Sequence, residues 1–207
     1  MPGWQAVYAE LGPKNFEIVA AAQDTAGEEA AGKFYDRAKA TYTTLIDADH
    51  KVSTLFHMVN VPTGVWIDEQ GRIVRPPEVA YTTAKVLGLT VGGDRYVAAL
   101  RDWVERGAES PFVLSAEQIR ARLKPRDPQL RRADASFRLG VYFHQAAQEG
   151  LADQYWELAQ KLNPDSWNYH RQDWSFTPKE ATQNWFRKFR ALAGRPYYEP
   201  LNLATPE

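Results

Sequence analysis

Cysteine is missing from all 207 residues. Its absence excludes disulfide staples, thiolate nucleophiles and cysteine-based metal sites together. An excess of charge of one sign is also missing. The formal net charge is −1, so there is no global basic field to attract nucleic acid and no acidic tail. No apolar run reaches about 18 residues, and no membrane span is expected. The opening residues Met1-Pro2-Gly3-Trp4-Gln5 lack the basic start and apolar core of a signal peptide. As written, the chain reads as soluble and cytoplasmic, without an export address. Its four histidines, His50, His57, His144 and His170, contain no i, i+4 pair. Neither a Gly-X-Ser-X-Gly elbow nor a phosphate loop occurs. The residue set therefore offers no catalytic constellation of its own, and no metal or cofactor is expected.

What is present is an ordinary apolar fraction of 44% and an unusual 7 Trp, most of them in the second half. Trp4, Val7, Tyr8 and Leu11 follow helical spacing, and Gly12-Pro13 is expected to stop that helix, with Gly12 in the left-handed position. Phe16 to Ala22 is a nearly continuous apolar run and predicts a strand buried on both faces. A helix from about Glu28 to Ala40 is expected to place Phe34 and Ala38 on one side, with Tyr42 beyond it. Thr44-Leu45-Ile46-Asp47 reads as extended. Asp49 is expected to cap a short helix carrying Val52, Leu55 and Phe56. Val65-Trp66-Ile67 and Ile73-Val74 flank the Gly-bearing turn Asp68-Glu69-Gln70-Gly71 and predict a hairpin. After Gly92-Gly93, a helix capped by Asp94 carries Val97, Leu100, Trp103 and Val104 and closes at Gly107. The order is that of an α/β protein with a parallel component.

Composition changes at Glu109-Ser110-Pro111. Ser115-Ala116-Glu117-Gln118 matches a capping box opening a short helix. Lys124-Pro125-Arg126-Asp127-Pro128 then reads as a linker. The expected organisation is 1–110 as an α/β domain, 111–128 as a short helix and linker, and 129–207 as an all-α region with an aromatic-rich tail.

The stretch from Phe16 to Val74 resembles the thioredoxin superfamily in its TlpA/ResA-like branch. The residues that carry the resemblance are Ile18-Val19-Ala20-Ala21 followed by Gln23-Asp24, Leu45-Ile46-Asp47, Val61-Pro62-Thr63, and Ile67 through Val74. The Asp94–Gly107 helix fits that fold's final helix. The resemblance implies a thiol–disulfide oxidoreductase scaffold in which a cis-proline loop faces a Cys-X-X-Cys pair and pairs with extended substrate. Carried over, Val61, Pro62 and Thr63 are the substrate-facing loop. Read without the resemblance, they terminate a turn before a strand. Because this chain has no cysteine, the polypeptide itself is expected to be redox-inactive.

Pro2 followed by Trp4, Val7, Tyr8 and Leu11 looks like the later part of the family's active-site helix. The resemblance then implies an incomplete thioredoxin-like fold, with the N-terminal strands and active-site turn missing. One missing strand is normally central, between the Phe16–Ala22 and Val65–Ile67 strands. Three arrangements are compatible with this. Met1 is internal to a longer protein, or another chain, including a second copy in a homo-oligomer, completes the sheet, or the fragments close up into a rearranged domain. The two strands are accordingly expected either to pair directly or to be bridged by a second molecule.

In the C-terminal region Leu139, Gly140 and Phe143 precede Ala152, Trp156 and Ala159 at helical spacing, with Pro164 beyond and Gly150 expected at the turn. This looks like one tetratricopeptide repeat, with Gly140 where the paired helices touch. The leading Trp of that pattern is replaced by Ser136. The tail from Trp167 to Tyr198 interleaves aromatics with Arg171, Arg187, Lys188, Arg190 and Arg195. The near-neutral charge favours core wedges with a solvated rim over a base-stacking surface. Two functional expectations follow. One is a TlpA/ResA-type protein of the thiol–disulfide class lacking its active-site segment. The other is a non-catalytic module that binds a peptide or protein partner through its thioredoxin-like and tetratricopeptide surfaces.

Overall fold

A computed structural model describes residues 2–82, 84–86, 89–91, 93–123, 125–197, 201 and 203. Met1, Gly92, Lys124 and Tyr198, which figure in the expectations above, lie outside the described residues. The architecture is mixed α/β. It begins with helix α1 (Pro2–Leu11), whose Val7 and Leu11 are buried. A 3-10 turn, Gly12–Lys14, follows, and Asn15 rather than Gly12 takes the left-handed conformation at φ 61°. Pro13 explains the displacement: its fixed φ suits the start of a tight turn and carries the chain three residues further before it reverses.

Strand β1 (Val19–Ala22) pairs in parallel with β2 (Thr43–Ile46), Val19 opposite Thr43 and Ala22 opposite Ile46. Helix α2 (Glu28–Ala38) makes the crossover. Its buried face is Ala31, Tyr35 and Ala38, and Phe34 is exposed. Of the expected pair, Ala38 is on the buried face, and Tyr35 takes the place of Phe34. Tyr35 fixes the helix on the sheet, its hydroxyl lying 2.9 Å from the Ala20 carbonyl and 3.2 Å from that of Leu45. Helix α3 (Lys51–Leu55) is capped by Asp47, not by Asp49. The two Asp47 carboxylate oxygens accept the N–H groups of Lys51 and Val52 at 2.8 Å each. His50, in the left-handed conformation at φ 54°, swings the helix start over Asp47. Asp49 instead accepts from Gln145, and Leu55 is exposed.

Strands β3 (Thr63–Ile67) and β4 (Ile73–Val79) form an antiparallel hairpin. At its turn the Asp68 carboxylate accepts the N–H groups of Gln70 and Arg72, and Gly71 sits at φ 75°. The strand expected to end at Val74 runs on through Pro76-Pro77. Pro is tolerated there because β4 pairs only with β3 among the described residues, leaving an outer edge that needs no donor. A small hairpin, β5 (Ala84–Val86) with β6 (Leu89–Val91), leads into helix α4 (Gly93–Arg106). Tyr96, Val97, Ala99 and Leu100 of α4 join Val7, Leu11 and Trp66 in one core. Gly107 follows α4 at φ 56°, as its position after the helix demands.

The described strands form three two-stranded sheets, not one. Of the two expected arrangements, direct pairing of the first apolar strand with the Val65–Ile67 strand is not observed among the described residues. Nor is that first strand buried on both faces. It shortens to four residues, none of them fully buried, and Val19 is 62% exposed. The reason is that β1 is covered on one face by α2 and paired on one edge by β2, with no other described strand on its far edge.

Helix α5 (Ala116–Arg122) opens with the expected capping box, Ser115 and Gln118 each bonding the other's backbone N–H. Helices α6 (Pro128–Gln145) and α7 (Glu149–Leu162) then form an antiparallel pair around Ala133, Phe137, Val141, Ala152, Trp156 and Ala159. A Cβ on Gly140 would lie under 3.0 Å from the Trp156 indole, so the helices touch where a small residue was expected. Leu139 is exposed instead of packed. Gly150 lies in the first turn of α7, and the reversal is made by Ala146, Ala147 at φ 56°, and Gln148. Helices α8 (Trp167–Ser175) and α9 (Ala181–Ala191) complete the order. Leu201 and Leu203 return to the first core, packing with α4 and Trp66.

Candidate functional site

The loop that carries Val61, Pro62 and Thr63 leaves α3 through His57, at φ 56°. The first turn of α8 docks on it. The backbone N–H groups of Trp167 and Asn168 donate to the Val59 carbonyl at 2.6 and 3.2 Å, and the Asn168 side-chain amide donates to the Met58 carbonyl at 2.8 Å. Ser166 supplies no side-chain cap. The loop carbonyl therefore satisfies orphan donors of the α8 N-terminus, at the positive end of its dipole.

Asn60 is the junction. Its Oδ1 accepts the Val61 N–H at 2.8 Å and Arg171 Nε at 2.7 Å, and its amide nitrogen donates to the Tyr197 hydroxyl. The Thr63 hydroxyl donates back to the Asn60 carbonyl at 2.6 Å. The Val61–Pro62 peptide is cis. The Pro62 carbonyl accepts the Ala80 N–H at 3.2 Å, which continues the β3–β4 ladder into the loop. Pro62 is exposed, with Val61 and Thr63 half-buried. Pro62 has no N–H and the Val61 N–H is held by Asn60. Among the described residues the Val61 carbonyl accepts no hydrogen bond, so it is the group this loop has left for an incoming strand.

The start of α1 lies against Thr82. A Cβ on Gly3 would collide with the Thr82 hydroxyl, two residues beyond the Ala80 that bonds Pro62. Trp4 packs edge-on against Tyr96, whose hydroxyl accepts Trp66 Nε1 at 2.8 Å. Burial pushes the Tyr96 phenol up to about 12. It stays protonated at neutral pH and acts as a structural anchor.

A second cluster joins the two halves of the chain. His50 is 2% exposed, and its Nε2 lies 2.8 Å from Gln172 Oε1. That oxygen also accepts the Thr25 N–H at 3.1 Å, while the Gln172 amide donates to the Thr25 and Ser175 hydroxyls. Gln172 is thus fully used, and His50 donates from Nε2 and leaves Nδ1 without a partner. Burial lowers the His50 pKa, with the Gln172 bond opposing it, so the ring is neutral near pH 7.

Trp167, 1% exposed, centres the aromatic tail. It stacks on Tyr197 at 4.9 Å and meets Trp174 and Trp185 edge-on. Lys188 Nζ lies 5.6 Å above its ring and donates to the Pro164 carbonyl. The interleaved aromatics and cations here are wedges with a charged rim. Among the described residues no cluster of His, Asp and Glu is placed to hold a metal, and no helix is long and apolar enough to cross a membrane.

The structure brings Val61, Pro62 and Thr63 together with Asn60, Arg171 and Tyr197. Arg171 and Tyr197 carry no local sequence signal, since they meet Asn60 across 111 and 137 residues. The chain matches no known protein family, no curated protein and no solved structure.

Proposed function

We propose that this chain is a thioredoxin-like protein of the TlpA/ResA type, of the thiol–disulfide redox class, that cannot itself exchange disulfides because it has no cysteine. The observation that carries the reading is the approach of the α1 start, at Gly3, to Thr82, two residues along the chain from the Ala80 N–H that pairs with the Pro62 carbonyl. The β1–α2–β2 crossover, the β3–β4 hairpin and the terminal helix α4 on that hairpin follow the same order as the family fold. Gly140 against Trp156 supports a tetratricopeptide-like helix pair appended to it. Two measurements test the proposal. Purified chain should give no dithiol-dependent reduction of insulin above a no-protein control, and turnover above control would refute its inactivity. Coding DNA upstream of Met1 that holds an in-frame strand and Cys-X-X-Cys supports the class assignment, and an immediate upstream stop codon overturns it.

One observation favours a second reading as a non-catalytic binding module. Val19, Leu45 and Ile67 are exposed on strands that each have an unpaired edge among the described residues. Such edges are templates for strand addition by a partner. A concentration-independent monomer mass, with no strand-forming peptide captured, would remove that reading.

A further inference from the structure

Away from the Pro62 loop, helices α7, α8 and α9 enclose an open cleft of about 870 Å³, a size that suits a ligand or a few side chains of a peptide. Its apolar wall is aromatic. Trp156 stacks on Phe176 at 5.4 Å, and His144 packs on Phe176 at 5.0 Å. Trp174 lines the same cleft. Phe176 is 43% exposed, so part of its ring, beyond the contacts with Trp156 and His144, faces solvent.

The charge around the aromatic wall is unbalanced. Asp153, Asp173 and Glu180 line the cleft, and Glu157 stands close enough to act on Asp173. None of these four carboxylates takes part in an ion pair among the described residues. The cleft's cations do not offset them equally. Lys188 is turned to the Pro164 carbonyl and the Trp167 ring, and Arg187 lines the cleft from α9 without forming an ion pair among the described residues, so three lining carboxylates face one cation that is not otherwise engaged. Burial, reinforced by Asp153 and Glu157, holds the Asp173 carboxyl above the usual carboxylate range. Like charges are thus crowded beside exposed aromatic faces, where a cation would relieve the repulsion and gain attraction from the rings.

We propose that this cleft binds a basic peptide segment, an arginine or lysine side chain lying over Trp174 and Phe176 with its charge toward Asp153 and Asp173. Guanidinium is the better fit of the two, because it is planar, weakly hydrated and stacks on aromatic faces while donating to carboxylates. Binding takes place at helices that do not include the Pro62 loop, so it stands or falls independently of the thioredoxin-like reading.

The test is a titration of the full chain with the peptide acetyl-Arg-Gly-Arg-Gly-Arg-amide, read by tryptophan fluorescence and calorimetry. The same peptide with citrulline at each arginine is the uncharged control, and N-acetyl-arginine-amide is the single-side-chain arm. We expect the arginine peptide to bind at least fivefold more tightly than the citrulline peptide, with affinity falling on addition of 0.5 M NaCl. Tighter binding by the peptide than by N-acetyl-arginine-amide identifies a peptide segment as the occupant, and equal binding overturns that part. The Asp153→Asn/Asp173→Asn variant keeps side-chain volume and should lose at least fivefold, with its circular dichroism unchanged. Trp174→Ala should lose affinity as well, and Arg187→Ala should retain or strengthen it. Equal binding of arginine and citrulline peptides, no binding of either, or undiminished binding by the double variant overturns the proposal.

Discussion

The charge network under the β3–β4 hairpin yields a quantitative expectation. Opposite Gly64 and Trp66 of β3 stand Glu78 and Arg75 of β4, so three residues of β4 span what two span on β3. That bulge falls at Pro76-Pro77. In a regular strand, residues 75 and 78 would point to opposite faces. The extra residue turns both to the same side. There Arg75, 2% exposed, forms a fork with Glu78, 6% exposed, at 2.7 and 3.0 Å. Arg75 also donates to the Phe112 carbonyl at 2.7 Å and lies over the Trp66 ring, while Arg122 of α5 donates to Glu78 at 2.8 Å. Replacing Glu78 by Leu leaves the Arg75 guanidinium buried without its carboxylate. Breaking a buried pair in this way costs about 3–5 kcal/mol, a large part of a typical total of about 5–15 kcal/mol. Replacing both, Arg75→Met with Glu78→Leu, removes the stranded charge. What remains is the Phe112 carbonyl without its donor, worth about 1–3 kcal/mol, and the part-exposed Arg122 without its carboxylate, a loss of about 0–1 kcal/mol. Urea denaturation followed by tryptophan fluorescence should therefore place Glu78→Leu below the double variant in stability, the reverse of additive behaviour. A double variant less stable than Glu78→Leu, or a Glu78→Leu cost under about 1 kcal/mol, would refute this account of the network.

Other expectations are read with the same denaturation assay. Gly140→Ala should destabilise by about 1–2 kcal/mol, because overpacking against the Trp156 indole outweighs the roughly 1 kcal/mol gained in helix propensity; a stabilised variant would mean the helices separate easily. Asn60→Ala removes the acceptor shared by Val61 and Arg171 and should cost about 1–3 kcal/mol, whereas an unchanged midpoint would show that α8 docks without it. Burial, with a contribution from Lys188, lowers the His170 pKa to about 4, so stability is full above the unfolded value near 6.5 and falls as the pH drops from there toward 4. Allowing for the partial exposure of His170, the loss is on the order of 1–2 kcal/mol, and His170→Gln should flatten the slope between pH 6.5 and 5; an equal slope in wild type and variant would place the effect elsewhere.

Residues that act through their neighbours in the chain were legible before any coordinates. The Ser115–Gln118 capping box, the Asp68–Gly71 turn and the Gly107 stop depend on spacings of a few residues, and the close approach of Gly140 to Trp156 on the periodicity of two successive helices. Errors arose where one competing local group won. Asp47 displaced Asp49 as the α3 cap because it reaches two backbone donors at once. Tyr35 displaced Phe34 on the buried face of α2 because its hydroxyl bonds two sheet carbonyls. What spacing does not encode is contact at long range. Arg171 and Tyr197 on Asn60, Gln172 on His50 and Thr25, and the Leu203 carbonyl on Arg95 all cross from one half of the chain to the other. Arg75 and Glu78 were missed for a different reason, since Pro76-Pro77 reads as the end of a strand and is in fact the bulge that aligns them.

These long-range contacts bear on what the Pro62 loop can do. A loop that receives an extended strand needs free backbone groups on both sides of the proline. Here Asn60 claims the Val61 N–H, Ala80 claims the Pro62 carbonyl, and α8 claims Val59. Asn60 is itself held by Arg171 and Tyr197, so the helical half braces the side chain that takes up the Val61 N–H and leaves the Val61 carbonyl open. Releasing that hold by Arg171→Ala and Tyr197→Phe together should leave the Val61 N–H bonded to Asn60, because that bond is local, while loosening the α8 contact. Amide hydrogen exchange separates the two. Val61 should stay protected and Trp167 and Asn168 should exchange faster. Faster exchange at Val61 to the same degree would mean that the helical half, rather than Asn60 alone, holds the Val61 N–H.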